Sequence, residues 1–379
     1  MGLGPVDSLW QPGNAKGGEI PLVKIWRAIR IVFLCGFALL VLLACTGFAL
    51  RAHRQHVIAR AIAIRTPNGI DERMYVQIGG INQWVQIRGQ DRNNPVILCL
   101  HGGPGGSWVV QTTVFLPWEK DFTVVQWDQR GTGKTLETTG PTIADTMSVD
   151  HMTQDGLEVS DFVRNHLHKD KIILLGFSWG SLLGVQMAKQ RPDLFYAYVG
   201  TGQISNMPKA QQLSYAYVLE KAHAAKDARA VQRLESIGPP PFDSLDTIGT
   251  FFQTLGKYEC DSDRNPGASV LTAPNYSLWD IYNLIRGFAV VPTLAVYHEM
   301  LSADLLSRGP DFRMPVFLFQ GELDERTQAA LAKDYFDQIN APHKEFVLFQ
   351  GGGHFIVLSM PQRFVQELVS RVRPLALQQ

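Results

Sequence analysis

The strongest hydrophobic signal in the chain is an apolar segment close to the N-terminus. Residues 31–50 carry no charged side chain, and a stretch of this length can cross a bilayer as one helix. Basic residues stand at similar density on both sides, so positive charge does not decide the orientation of the segment. We predict a single-pass membrane anchor at residues 31–50, preceded by a polar segment at 1–30 and followed by a linker at 51–71.

Three other interpretations of this segment remain open. A cleaved signal peptide has a shorter apolar region, and no clear Ala-x-Ala cleavage site follows here. Residues 42–45 (L-L-A-C) loosely resemble the cleavage box of a bacterial lipoprotein, although apolar residues continue to Leu50. A buried core helix would have the same composition, but this segment lies outside the pattern of the domain that follows.

The pattern changes after residue 71. Residues 74–87 alternate around Gly79-Gly80, which predicts a β-hairpin at the start of a sheet. Short apolar runs then alternate with helical patterns as far as about Gly202. This alternation predicts an α/β fold with a mainly parallel sheet flanked by helices.

A long insertion interrupts that alternation. Residues 203–313 show helical patterns, including one over 210–230, and strand patterns resume afterwards. We predict a helical cap at 203–313, inserted into an α/β core formed by residues 72–202 and 314–379. A last helix is expected near the C-terminal end of the core.

A G-x-S-x-G sequence lies where a predicted buried strand passes into a predicted helix. Residues 171–175 have the strand pattern, residues 181–190 have the helix pattern, and Ser178 lies at the centre of Gly-Phe-Ser-Trp-Gly between them. Flanking glycines permit a turn too tight for larger side chains, so the serine hydroxyl stands exposed above the sheet. We therefore predict that Ser178 is a nucleophile.

A glycine-rich loop follows an earlier predicted strand. Residues 101–106 read His-Gly-Gly-Pro-Gly-Gly, and backbone N–H groups of such a loop can stabilise the negative charge that develops during acyl transfer. We predict the N–H groups of Gly103 and Trp179 as the oxyanion donors, with Gly102 as the near alternative to Gly103. His101 precedes the nucleophile in sequence, so we expect it to shape the loop.

An acid and a histidine follow the next two predicted strands of the core. Asp324 lies just beyond the first of these strands and His354 just beyond the second, which gives the order Ser, Asp, His. His354 would take the proton of Ser178, and Asp324 would hold the imidazole in the required tautomer. Glu322 and Glu325 compete with Asp324 for this role, and we expect both to be solvated loop residues.

Composition limits the class of protein. Hydrophobic residues make up 45% of the chain and charged residues 18%, and Lys+Arg and Asp+Glu number 35 each. A nucleic-acid-binding protein would need a basic excess or stripe, so we expect no nucleic acid as a partner. The 4 cysteines form no disulfide framework and no metal-ligand spacing, and we expect no metal and no cofactor.

Several short sequences together resemble the prolyl aminopeptidase (proline iminopeptidase) branch of the α/β-hydrolases. They are H-G-G-P-G-G, D-Q-R-G-T-G-K from Asp128, G-F-S-W-G-S, G-E-L-D and G-G-G-H-F, and the resemblance covers about Met74 to Val372. It implies an α/β-hydrolase fold and removal of N-terminal residues, often proline, from peptides by a serine mechanism without a cofactor. It also implies that Asp128 and Arg130 support the floor of the site.

The cap departs from that family in one respect. Members that remove proline usually carry a W-x-x-W-E-type motif whose glutamate helps to bind the free amine of the substrate, and residues 202–313 lack it. An acidic residue elsewhere in the cap would then have to bind the ammonium group. The candidates are Glu220, Glu235, Glu259, Asp261, Asp263, Asp280 and Glu299.

The sequence therefore predicts a membrane-anchored serine hydrolase that releases N-terminal residues, possibly proline, from peptides through an acyl-enzyme and a triad of Ser178, His354 and Asp324. The expected partners are a small peptide or ester substrate and, through the N-terminal helix, a membrane. A carboxylesterase or a carbon–carbon bond hydrolase on the same triad is the first alternative. A non-catalytic binding protein on a hydrolase fold is the second.

Overall fold

A mainly parallel β-sheet forms the centre of the protein. The computed structural model describes residues 1, 21–264, 270–289 and 294–377, so residues 2–20 of the predicted polar segment lie outside it. Numbered along the chain, the strands of the described residues are Ile70–Ile78 (β1), Ile81–Gly89 (β2), Val96–Leu100 (β3), Thr123–Asp128 (β4), Ile172–Phe177 (β5), Phe195–Thr201 (β6), Val316–Gly321 (β7) and Lys344–Phe349 (β8). They form one 8-stranded sheet in the order β1-β2-β4-β3-β5-β6-β7-β8.

The helices of the described residues are numbered in the same way. They are Pro21–Ala61 (α1), Thr112–Phe115 (α2), Gly133–Thr139 (α3), Val149–Leu167 (α4), Trp179–Gln190 (α5), Met207–Ala224 (α6), Ala228–Ile237 (α7), Leu245–Tyr258 (α8), Asp261–Arg264 (α9), Leu278–Ala289 (α10), Leu294–Leu301 (α11), Ala329–Gln338 (α12), Ile356–Ser359 (α13) and Pro361–Glu367 (α14). A π-helical turn over Leu368–Val372 continues α14.

The first two strands form the predicted hairpin. β1 and β2 pair antiparallel across Gly79 and Gly80, whose φ values are 53° and 76°. Glycine adopts this left-handed conformation without a Cβ clash, which is why such a turn joins two strands so tightly. From β4 across to β8 the neighbouring strands pair in parallel, and the predicted α/β-hydrolase fold class is confirmed.

Apolar side chains cover both faces of the sheet. Along β5, Ile172 and Leu174 join a core cluster on one face, whereas Ile173 and Leu175 join a second cluster on the other. A parallel strand covered on both faces is apolar at every position, which explains its unbroken apolar sequence. The sheet and the cap belong to one compact unit that begins at Gln55, and the described residues up to Arg54 belong to another.

The segment predicted as a cap, residues 203–313, lies between β6 and β7, and its described residues form α6 to α11. The sequence predicted a helical stretch over 210–230, but the structure divides it into α6 and α7. Lys226 has φ 53° in the turn between them, and the Asp227 side chain accepts a hydrogen bond from the N–H of Ala230 at 3.1 Å. An aspartate at this position satisfies an N–H group that a helix start would otherwise leave unpaired, so a new helix begins here.

α1 is longer than the predicted membrane segment. Residues 21–30, predicted as polar and loose, and residues 51–61, predicted as linker, are both helical. The charges that end the apolar segment do not end the helix, because Arg, Gln and Ala are good helix formers. The apolar side chains of α1 are exposed, as Phe33 is at 71%. By length and composition α1 is a candidate membrane span, a property that it shares with signal sequences.

Candidate active site

Ser178 occupies a strained turn between β5 and α5. Its φ of 51° and ψ of −119° are rarely adopted by residues other than glycine. The N–H of Ser178 donates to the carbonyl of Thr201 at 3.0 Å, which holds the turn in place. A Cβ at Gly176 would lie 2.5 Å from the carbonyl oxygen of Gly180, and a Cβ at Gly180 would clash with the carbonyl of Leu100. Both glycines of the motif are therefore required by close backbone packing.

Asp324 and His354 meet at the ends of neighbouring parallel strands. The Oδ2 atom of Asp324 and the Nδ1 atom of His354 lie 2.9 Å apart, and both residues are buried. Thr327 donates to Asp324 from its N–H at 2.9 Å and from its hydroxyl at 2.8 Å. Burial raises the pKa of the Asp324 carboxyl, but the neighbouring His354 and the Thr327 hydrogen bonds outweigh it and hold that pKa below its usual value.

The two competing glutamates lie in other surroundings. Glu322 is exposed and accepts a hydrogen bond from the N–H of Gly351 at 2.8 Å. Glu325 is partly buried, and burial together with the nearby Asp324 raises its pKa to about 6. Of these three carboxylates, the structure places Asp324 against His354.

The imidazole of His354 packs beside the serine turn. Its ring centroid lies 5.0 Å from that of Phe177, the residue before Ser178. A Cβ at Gly202 would lie 2.9 Å from Cε1 of His354, so the chain after β6 also passes close to this ring. Ser178 and Thr327 line the same cavity. The structure thus brings the three predicted triad residues to one region at the carboxyl ends of β5, β7 and β8.

The predicted oxyanion donors lie next to this turn. Trp179 is the first residue of α5, and the N–H groups of a first helical turn have no partner within the helix. Gly103 lines the same cavity as Ser178. Gly102 is equally near, since a Cβ there would lie 3.3 Å from Cβ of Ser178. The geometry is compatible with either glycine, and the choice of Gly103 stays a prediction.

The D-Q-R-G segment is bound into the scaffold around the site. Asp128 accepts hydrogen bonds from the hydroxyls of Ser107 and Tyr276, and burial raises its pKa to about 6. Arg130 donates to Asp155 at 2.8 and 3.0 Å. These contacts fit the structural role expected of both residues.

His101 is enclosed by its own loop. Its Nδ1 atom lies 2.8 Å from the carbonyl oxygen of Gly102, to which Nδ1–H donates, and its Nε2 atom accepts from the N–H of Gln129 at 3.3 Å. Burial lowers its pKa to about 4, although the bond to Gly102 acts in the opposite direction. Gln129 in turn accepts a hydrogen bond from the indole N–H of Trp179 at 3.0 Å. His101 therefore connects the glycine loop to the residue after Ser178.

Three of the acidic residues expected in the cap are buried and paired. Glu259 forms an ion pair with Arg326, one bond of which measures 3.1 Å, and Asp280 forms one with Lys134 at 2.8 Å. Asp263 accepts the backbone N–H of His354 at 2.5 Å. The other candidates are exposed: Glu220, Glu235, Asp261 and Glu299.

Asp263 joins the cap to the loop that carries His354. Its carboxylate also accepts the N–H of Phe355 at 3.0 Å. A Cβ at Gly353 would lie 2.1 Å from this carboxylate, so a larger residue there would displace Asp263. The sequence marked Gly353 as part of a triglycine, but no local pattern could identify the cap residue that approaches it.

A cavity of about 650 Å³ opens beside Ser178. Its charged lining side chains are Asp246, on the first turn of α8, and Arg326, which lies 5.4 Å from the ring of Phe355. The remaining lining residues are mostly apolar, and they include Ile204, Met207, Ile248, Phe252, Tyr297 and Met300. Asp246 was missed by sequence reasoning, because an acid in a first helical turn is common and carries no signal of its own.

Known proteins agree with this architecture. Residues 95–361 match the family model described as alpha/beta hydrolase fold. A relative named Probable aminopeptidase YbaC, from Bacillus subtilis (strain 168), is 28% identical over 305 residues, which cover 79% of this chain and 95% of that protein. A Proline iminopeptidase from Clostridioides difficile (strain 630) is 22% identical over 303 residues, covering 78% of this chain and 95% of that protein.

Similarity to solved structures shows the same fold. The crystal structure of a membrane phospholipase A superimposes with a TM-score of 0.59 at 18% identity, covering 90% of this chain and 98% of that one. The family match includes the serine turn, the strands β7 and β8 that precede Asp324 and His354, and the segment between β6 and β7. The chain belongs to the α/β-hydrolase family and resembles its prolyl aminopeptidase branch.

Proposed function

We propose that this chain is a serine hydrolase in which Ser178 is the nucleophile, His354 the general base and Asp324 its orienting acid. The hydrogen bond of 2.9 Å between Asp324 and His354, beside the turn that presents Ser178, carries this proposal. Asp324 holds Nδ1–H of His354, which leaves Nε2 to accept a proton. The substrate class proposed is a peptide with a free N-terminus.

The reaction proceeds through an acyl-enzyme. The Oγ atom of Ser178 attacks the carbonyl carbon while its proton passes to Nε2 of His354. The N–H groups of Trp179 and Gly103 stabilise the resulting oxyanion. His354 then gives the proton to the leaving amine as the C–N bond breaks, and a water molecule hydrolyses the ester with His354 again as base.

The aminopeptidase assignment draws on the relatives and on Asp246. The names of the relatives indicate this activity, and Asp246 is an exposed carboxylate on the wall of the cavity that contains Ser178. The buried acids of the cap, Glu259, Asp263 and Asp280, already hold other groups. We therefore assign the substrate ammonium to Asp246.

An experiment on substrate charge tests this assignment. We expect turnover of aminoacyl p-nitroanilides with a free amine and loss of turnover after N-acetylation, because acetylation removes the positive charge. Asp246→Asn should raise KM for the free-amine substrates by roughly tenfold, in the range of a lost charge-assisted hydrogen bond. Asp243→Asn, on the same segment but lining a different cavity, is the matched control. Equal rates on free and acetylated substrates would contradict the aminopeptidase assignment.

The lining of the cavity favours a second candidate, a carboxylesterase on the same triad. Most of the lining side chains are apolar, and burial of an acyl chain against them is favourable by about 0.8 kcal/mol for each CH₂ group. For this alternative, kcat/KM on p-nitrophenyl esters should rise steadily with acyl length. A flat or falling series would exclude it.

The proposed location is a membrane, to which α1 anchors the enzyme. An apolar helix held in a bilayer is not released by salt, so the full chain should sediment with membranes after washing at high ionic strength. A variant beginning at Gln55 should be soluble and active, because residues 55–379 form their own compact unit. An N-terminus that begins after the apolar segment in the purified protein would identify a signal sequence instead.

A further inference from the structure

The outer face of α10 exposes a row of large apolar side chains. Leu278, Trp279, Tyr282 and Ile285 are 42%, 55%, 47% and 60% exposed. Their spacing of three and four residues places them on one side of the helix, which we call the α10 stripe. Contiguous exposed apolar surface of this kind marks a site of interaction.

The inner face fixes α10 firmly to the core. Asp280 pairs with Lys134 at 2.8 Å, and a Cβ at Gly287 would lie 2.8 Å from the carbonyl oxygen of Gly131. Just before the helix, Tyr276 donates its hydroxyl proton to Asp128 at 2.8 Å. The exposure of the α10 stripe is thus imposed by contacts on the opposite face.

A contact made by Gln55, within the compact unit of residues 55–379, indicates what covers this stripe. The side-chain amide of Gln55 donates to the carbonyls of Ala273 and Tyr276 at 2.7 and 2.9 Å. Only residues 51–54 separate Gln55 from the apolar segment that ends at Leu50. If that segment spans a bilayer, Gln55 lies within roughly 10 Å of its end, given the rise of an α-helix. The residues that lead into α10 must then lie near the bilayer surface.

The chemistry of the stripe suits that surface. Trp and Tyr are enriched where hydrocarbon meets lipid headgroups, because their rings are apolar and carry one polar group. Trp279 and Tyr282 contact each other with ring centroids 5.0 Å apart. Arg286 lies 5.5 Å from the ring of Tyr282, where its guanidinium can meet lipid phosphate.

We infer that α10 docks its exposed stripe on the phospholipid surface of the membrane that holds α1, as a second contact with the bilayer. This inference rests on the proposed anchor. Because Tyr276 also bonds to Ser107, just after the glycine-rich loop, at 3.2 Å, docking would fix the active site relative to the bilayer. The site would then face substrates at a constant height above the membrane.

Fluorescence of the full chain in phosphatidylcholine vesicles brominated along the acyl chains tests the docking. The emission of Trp279 is obtained as the difference between the natural protein and Trp279→Phe. We expect bromination to reduce this difference by roughly half, as for a side chain at the headgroup–acyl boundary. If the protein floats with the vesicles but the Trp279 emission is not quenched, the docking of α10 is wrong while the membrane anchor is still supported.

Charge on the stripe gives a second measurement. Tyr282→Glu and Ile285→Glu should each abolish the quenching of Trp279, whereas Leu213→Glu, at a position 43% exposed on α6, should leave it unchanged. Turnover of a water-soluble ester confirms that each variant is folded. A different outcome is energy transfer between labelled copies of the protein that rises with protein density, while the lipid does not quench Trp279. That result would assign the stripe to a second copy of the chain and overturn the inference. Failure of the protein to float with vesicles would overturn the anchor itself.

Discussion

Two buried carboxylates at the same edge of the sheet have pKa values that are shifted in opposite directions. Asp324 and Asp128 are both buried and both accept several hydrogen bonds. The pKa of Asp324 is lowered, because His354 and the Thr327 donors outweigh its burial. The pKa of Asp128 is raised to about 6, because burial outweighs the donors around it.

Asp324 belongs to the proposed catalytic cluster, whereas Asp128 belongs to a structural one. Asp324 contacts the imidazole of His354, and the nearby Ser178 and Thr327 line a cavity. Asp128 contacts the hydroxyls of Ser107 and Tyr276, which connect the glycine loop to the cap. Burial and hydrogen bonding do not distinguish the two carboxylates. Their partners do: Asp324 contacts an imidazole that packs beside the turn of Ser178, whereas Asp128 contacts hydroxyls.

The largest expected effect lies at the two serines of these clusters. Ser178→Ala should lower kcat by on the order of 10⁵ while the protein stays folded, because the nucleophile is lost. Ser107→Ala should keep activity within about tenfold, since the hydrogen bonds that it removes, to Asp128, Tyr276 and the N–H of Val109, are structural contacts and the nucleophile stays in place. Steady-state rates with thermal melting measure both. A phosphonate adduct mapped by mass spectrometry to a residue other than Ser178 would contradict the assignment.

The two aspartates should differ almost as strongly. Asp324→Asn should lower kcat by about 10⁴, because the amide selects the wrong tautomer of His354. Asp128→Asn should act mainly on stability, as its partners bind the loop and the cap. Glu322→Gln and Glu325→Gln are controls within the loop of Asp324. If either of them abolishes turnover, the role of orienting acid passes to that residue.

A smaller effect is expected where the cap reaches the proposed catalytic cluster. Asp263→Ala removes the acceptor for the N–H groups of His354 and Phe355. A displaced His354 should lower kcat by about 10–100-fold with little change in KM, since a misplaced catalytic group costs this much. Asp261→Asn, exposed on the same short helix, should leave both constants unchanged. A change confined to KM would indicate instead that Asp263 binds substrate.

The smallest effect concerns stability and pH in the structural cluster. The pKa of His101 is lowered to about 4 from an ordinary value of 6.5. The neutral imidazole therefore contributes stability that is fully present above pH 6.5 and is lost as the pH falls towards 4. The difference in unfolding free energy between the natural protein and His101→Gln should shrink by up to about 3 kcal/mol over that range. Chemical denaturation measures it, and a difference that stays constant between pH 6.5 and pH 4 would contradict the prediction.

Local patterns identified much of the site. The turn at Ser178 was predictable because the glycines that it needs lie at fixed positions beside it. Asp324 and His354 were predictable as neighbours because parallel strands end at the same edge of a sheet. The hydrogen bond between them agrees with that reasoning, although their catalytic roles await the experiments above.

Contacts between distant segments were not predictable. The sequence offered seven cap acids as equals, and the structure separates them by what approaches each one. Glu259 lies against Arg326, Asp263 lies against the His354 loop, and Asp246, which was not among them, lies on the cavity wall. A charged side chain in a helical segment has the same local signature whether it is solvated or buried.

The sequence by itself determined the fold class, the serine turn and the strand ends at which Asp324 and His354 lie, because each depends on residues that are near in the chain or on strands of fixed direction. It also marked the apolar segment, but not the full extent of α1, since helix formation does not stop where apolar composition stops. The tertiary structure alone decided which cap acids are already paired with protein groups, how Asp263 holds the loop of His354, and which face of α10 is exposed. These depend on packing between segments far apart in sequence, where burial and neighbouring charge set the state of each side chain.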